Sequence, residues 1–122
     1  MTQATELAPG LVVQGIQAPL SLSYFKLIAF DMDSTLINIE CVDEIADAAG
    51  RKAEVAAITE AAMQGLITDY KESLRQRVAL LKGVTVSHLE HVFTERLRFN
   101  PGAKELITAA KAAGLTTLLV SG

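Results

Sequence analysis

Asp31 and Asp33 stand two positions apart in "FDMDSTL" (30–36), and Ser34 and Thr35 follow directly. Most acid pairs sit on solvated turns. This one ends an apolar run, "FKLIAF" (25–30), which is too short for a helix and reads as a buried strand. Loops at the ends of such strands gather functional groups. Two carboxylates this close repel unless something positive lies between them. The hydroxyls of Ser34 and Thr35 can orient a carboxylate or a phosphate oxygen.

Arg77 is the second residue that calls for a partner. In "TDYKESLRQRVALLKG", Tyr70, Leu74, Arg77 and Leu81 fall at i, i+4, i+7 and i+11, which is one stripe of a helix. A guanidinium on an apolar stripe needs an anion or a wet cavity. Two partners fit: an acid of the neighbouring helices, or a bound carboxylate gripped by the planar fork. Glu40, just before a helix, reads by itself as an ordinary helix-start acid. Met63 and Tyr70 read as core residues, Cys41 as a small core residue, and Lys104 and Glu105 as solvated charges. His88 and His91 lie three apart with no third ligand evident, which speaks against a metal site.

The elements that must hold these groups follow from periodicity and breakers. Residues 1–22 carry Pro9, Gly10, Gly15 and Pro19 and read as a lead-in, with "LVVQGI" as a short strand at most. Helices are expected in "VDEIADAAG", stopped by Gly50, and in "KAEVAAITEAAMQG", stopped by Gly65. A third runs from an N-cap at Thr68 or Asp69 to Gly83. A fourth opens with Ser87 and Glu90 as a capping box. The fifth has Asn100 at the N-cap, Pro101 at the first helical position and Gly114 past the end. "LTTLLVSG" (115–122) reads as a second buried strand. A strand, crossover helix and parallel strand take roughly 30 residues. Here the strands lie much further apart, so residues 40–98 form an insertion beside the acid pair, able to act as a lid. The resulting organisation is a lead-in (1–22), a partial α/β core (23–39 and 99–122) and a helical cap (40–98).

Bulk properties narrow the partners. The net charge is −3 and no dense basic run exists, which argues against nucleic acid. No apolar run approaches ~18 residues, which argues against a membrane partner. A single cysteine suits a reducing compartment. The chain reads as soluble and cytoplasmic.

"FDMDSTL" matches the Asp-x-Asp-x-Thr signature of the haloacid dehalogenase-like phosphohydrolases. "DMDSTLINIECVDEIADAAG", "ITEAAMQG", "SLRQRVALLKG" and "LLVSG", in that order, resemble the phosphoserine phosphatase family within them. The resemblance covers residue 25 onwards. It implies an α/β fold, here a partial Rossmann-like parallel sheet with an inserted helical cap. It implies a Mg²⁺-dependent enzyme of serine biosynthesis that hydrolyses O-phospho-L-serine, and it leaves a homodimer open. By the resemblance, Asp31 is the nucleophile and becomes phosphorylated, and Asp33 is the general acid and then the base. The ion touches the Asp31 side chain and the Asp33 main-chain carbonyl. Ser121 and Gly122 match the family's second motif and hold phosphoryl oxygens. Glu40 meets the substrate's amino group, Arg77 its carboxylate, and Met63 and Tyr70 cover it.

The family pattern also includes a later lysine and a Gly-Asp-Gly run with a further Asn-Asp, which these 122 residues do not contain. Lys82, Lys104 and Lys111 do not occupy the lysine's place. The expectation is that this polypeptide by itself binds Mg²⁺ weakly, is inactive and is marginally folded. Alternative readings are a related small-molecule phosphatase or phosphotransferase, and a non-catalytic fragment. A phospho-accepting signalling module fits poorly, because no suitable Asp ends the second strand.

Overall fold

The structure is a computed structural model and describes residues 3–122; residues 1–2 of the lead-in lie outside the described residues. Strand β1 (Thr5–Ala8) pairs antiparallel with β2 (Leu11–Val13), so the lead-in holds a hairpin where a lone short strand was expected. Its turn is made possible by Gly10 at φ 81°, whose N–H donates to Glu6 Oε1 at 3.0 Å.

Strand β3 (Leu27–Phe30) leads into the acid pair, and β4 (Thr116–Leu119) lies parallel beside it. The two pair Leu27 with Thr116 through Phe30 with Leu119, and Val120 N–H extends the ladder to Phe30 O at 2.8 Å. The expected strands therefore form, but the expected burial does not: no residue of either strand is fully buried. Leu118 and Leu119 point to opposite faces of β4 and are 44% and 55% exposed. Among the described residues β3 and β4 pair with each other alone, α5 packs on β4, and much of the apolar surface of the pair meets solvent.

Between the strands lie α1 (Cys41–Ala48), α2 (Lys52–Met63), α3 (Tyr70–Ala79), α4 (Val86–His91) and α5 (Ala103–Ala112). Their stops follow the glycines: Gly50, Gly65, Gly83 and Gly114 all adopt positive φ. Two starts differ from expectation. The cap of α4 is Thr85, not Ser87; its hydroxyl and N–H both meet His88 Nδ1 at 3.1 Å, so His88 fills the role assigned to Glu90. Helix α5 begins two residues late because Gly102 takes φ 87° and serves as its N-cap. Asn100 is thereby freed for another task. Its Nδ2 donates to Thr35 O at 2.7 Å and Ile37 O at 3.0 Å, and its N–H to Leu36 O at 3.0 Å.

These bonds tie the two connections between the strands and the helical insertion. Ile37 bridges antiparallel to Phe99, and Asn38 exchanges bonds with Arg98. The best-buried apolar cluster lies at the same place. Ile37, Ile39 and Val92 are 3–6% exposed and pack with Met32, Cys41, Ile45, Ala48 and Leu97. Burying each such side chain stabilises by about 1.5–3 kcal/mol. The firmest packing therefore sits directly behind the acid loop. Arg96 adds a clasp, with Nη1 at 2.8 Å from Glu44 and 2.6 Å from Asp47, both on α1. Lys104, expected to be free, lies over the Phe99 ring at 5.7 Å. No helix among the described residues is long and apolar enough to cross a membrane.

Candidate active site

Strand β3 ends at Phe30 because the chain must turn at Asp31. Residues 32–36 form a wide turn closed by Ile37 N–H donating to Met32 O at 3.2 Å. Inside it Ser34 takes φ 54°, the left-handed region that favours glycine. The hydroxyls act as the composition suggests. Thr35 Oγ1 donates to Asp31 Oδ2 at 3.0 Å, and Ser34 Oγ donates to Glu40 Oε1 at 2.7 Å. Asp33 turns inward. Its Oδ2 accepts the Cys41 N–H at the start of α1 at 3.0 Å, while its Oδ1 is buried without a hydrogen-bond partner.

Tyr70, Leu74 and Arg77 of the stripe face the same space; α3 ends at Ala79, short of the expected stop, and Leu81 falls outside both the helix and this space. A cavity of about 270 Å³ is lined by Asp31, Asp33, Glu40, Tyr70 and Arg77, with Ser121 and Gly122 from the segment after β4. Leu74 and Val42 complete its wall. Ser121 reaches it because the parallel register carries the chain past Leu119 alongside Asp31. Of the two partners foreseen for Arg77, the structure holds the acid of a neighbouring helix. Its Nη1 lies 3.5 Å from Asp43 Oδ1 on α1, yet Nε is buried with no partner and the side chain still lines the cavity.

Met63 does not join this cavity. It lines an adjoining space of about 420 Å³ with Thr59, Ala62, Ser73 and Asp43, and the two spaces share Glu40 and Arg77. Met63 and Tyr70 are 79% and 63% exposed, so neither is the core residue that its type alone suggested. Asp43 escaped the sequence reading. Its place in the first turn of α1, directly after Glu40 at the N-cap, was the signal.

Cys41 is unfit for nucleophilic work. Burial first, then the neighbouring Asp33 and Glu40 carboxylates, push its thiol up to about 11. His88 is taken up at the start of α4, where its Nδ1 accepts the Thr85 N–H at 3.1 Å. What the site offers a cation is oxygen alone. Asp31 and Asp33 both line the cavity, and one Asp33 carboxylate oxygen is buried without a partner, so the acid pair is a hard, anionic donor set. That set fits a small hard divalent ion that keeps several waters, and does not fit a soft metal.

The protein-family model that matches the chain is described as haloacid dehalogenase-like hydrolase, over residues 28–122. A phosphoserine phosphatase of Albidiferax ferrireducens is 74% identical over 118 residues, covering 97% of this chain and 50% of that protein. A solved structure described as a substrate-bound phosphoserine phosphatase complex superposes with TM-score 0.68 at 43% identity, covering 80% of this chain and 45% of the other. Another, described as a phospho-aspartyl intermediate analogue of phosphoserine phosphatase, gives TM-score 0.67 at 44% identity over 80% and 46%. The chain spans about half the length of the curated relatives it matches. The matched residues contain all but the first residue of the strand pair, the acid turn and the residues that line the cavity, and on these grounds the chain belongs to the haloacid dehalogenase-like hydrolase family.

Proposed function

We propose that the protein is a Mg²⁺-dependent phosphomonoesterase of the cytoplasm that hydrolyses O-phospho-L-serine to L-serine and phosphate. One observation carries this reading. Two carboxylates at a strand end share a small cavity with one further acid and one guanidinium, the charge pattern that complements a phosphorylated amino acid. The relatives' names support the same substrate, and the phospho-aspartyl analogue supports a covalent route.

In the proposed chemistry Asp31 attacks phosphorus and the bond from phosphorus to the seryl oxygen breaks, leaving an aspartyl phosphate. Thr35 holds the other Asp31 oxygen and so orients the attacking one. Asp33 gives its proton to the departing seryl oxygen. It then takes a proton from the water that releases phosphate and restores Asp31. Ser121 and the Gly122 N–H offer donors to the phosphoryl oxygens. Mg²⁺, held by Asp31 and the Asp33 carbonyl, would supply the positive charge that lets an anionic nucleophile approach an anionic ester. Glu40 takes the substrate's ammonium group, Arg77 its carboxylate, and Tyr70 and Met63 cover the entrance. Residues 40–98 act as the cap, and residues 23–39 and 99–122 as the α/β part on which it sits.

The test is an acid quench of the intact enzyme during turnover of phosphorus-labelled O-phospho-L-serine. The label is expected on Asp31, sensitive to hydroxylamine, and absent from Asp31→Asn. Undiminished turnover by Asp31→Asn would overturn the mechanism.

A further inference from the structure

We propose that Ser34 is the positioning residue that sets specificity for the amino group, by holding Glu40 in place for it. The inference rests on the reading of Glu40 given above. Ser34 is the one non-glycine residue among those described that has positive φ. A glycine would occupy that conformation without the steric conflict that a Cβ brings. Something must compensate for a side chain there, and the hydroxyl makes one contact, a 2.7 Å bond to Glu40 Oε1.

The backbone repeats the link. Ser34 N–H donates to the Ile39 carbonyl at 3.0 Å, so one residue fixes both the main chain before Glu40 and its carboxylate. Ser34 itself is not among the residues lining the cavity, whereas Glu40 is. The hydroxyl therefore acts from behind. It occupies one carboxylate oxygen and leaves the other for a cation in the cavity. An exposed glutamate free to rotate would lose side-chain entropy on binding, and the tether removes part of that loss beforehand.

This arrangement permits a substitution that deletes the hydroxyl while easing the backbone. Ser34→Gly, Ser34→Ala and Glu40→Gln are compared in the intact enzyme. The substrates are O-phospho-L-serine and its desamino analogue, 3-phosphooxypropanoate. Ser34→Gly and Ser34→Ala are both expected to raise KM for O-phospho-L-serine about fivefold, the scale of the net contribution of one typical hydrogen bond. The KM for the desamino analogue and kcat on both substrates stay as they were, and the Ser34→Gly protein melts no lower than the parent. Added to Glu40→Gln, the glycine substitution should have no further effect. If Ser34→Gly keeps the parent's preference while Glu40→Gln loses it, Ser34 has no such role and the Glu40 reading stands. If Glu40→Gln keeps the preference, the Glu40 reading fails and this inference with it. An equal fall of kcat on both substrates would place the hydroxyl's role at the nucleophile turn, which also overturns the proposal.

Discussion

Arg77 has one ionic contact, to Asp43, at 3.5 Å and with a side chain only 17% exposed. A single long contact leaves most of the guanidinium fork unspent, and its buried Nε has no partner at all. A ligand carboxylate would satisfy that donor. Arg77→Ala in the intact enzyme is therefore expected to raise KM for O-phospho-L-serine by about 30- to 100-fold, the scale for losing a desolvated charge contact. Phosphoethanolamine, which lacks the carboxylate, should show little change. Equal losses on both substrates would mean that Arg77 serves the cap structure and not recognition. Cys41 gives a second expectation. Its thiol is raised from 9.0 to about 11, chiefly by burial, a cause that persists whatever Asp33 binds. Below pH 9 the thiolate fraction is then about a hundredfold lower than in the unfolded chain, so iodoacetamide should modify Cys41 slowly at pH 8 until urea is added. The sign for stability follows. The folded state holds the proton more tightly, so this contribution is whole below pH 9 and declines as pH rises to about 11.

At the scale of elements, the acid turn depends on a residue far from it in sequence. Asn100 spans the two connections with two side-chain bonds, to Thr35 O and Ile37 O. Asn100→Ala leaves both carbonyls without that donor and should lower stability by about 2 kcal/mol, read from urea unfolding. Because Thr35 also orients Asp31, kcat should fall along with stability. A variant of unchanged stability and rate would show the two connections to be held by the Ile37–Phe99 bridge and the Asn38–Arg98 bonds without the Asn100 side chain. The start of α4 is a smaller device. His88 accepts from the Thr85 N–H, and His88→Ala should cost about 1 kcal/mol, as loss of a helix cap does.

At the scale of the molecule, the packing is thin where the strands lie and firm behind the acid turn. Among the described residues no large side chain is fully buried, and Leu27, Leu119 and Val120 are about half exposed. An open two-strand sheet with apolar residues on both faces is a template for association. Prepared as these 122 residues, the protein should bind the dye ANS, sediment as a concentration-dependent mixture and melt without a sharp transition. Replacing Leu119 with lysine should reduce the association. A sharp melt of a monomer that ignores the dye would contradict this.

The sequence by itself determined the local features. Glycine stops, the strand ahead of Asp31, the hydroxyls beside it and the α3 stripe with Arg77 depend on period and backbone chemistry, which neighbours along the chain settle. The cap of the fourth helix is not fixed in that way, because Thr85, Ser87, His88 and Glu90 compete within a few residues. The structure sets the cap at Thr85 with His88 at its third position, two residues ahead of Ser87. What only the tertiary structure decided are contacts between distant residues. Arg77 meets Asp43, Asn100 holds Thr35 and Ile37, and Met63 sits in the space beside the acid pair and not in it. Periodicity assigns a side chain to a face of its own element, but the partner on that face is chosen only when the elements pack together. Strand burial follows the same logic: a run of apolar residues can prescribe an extended chain, while the layers that would cover it come from elsewhere in the fold.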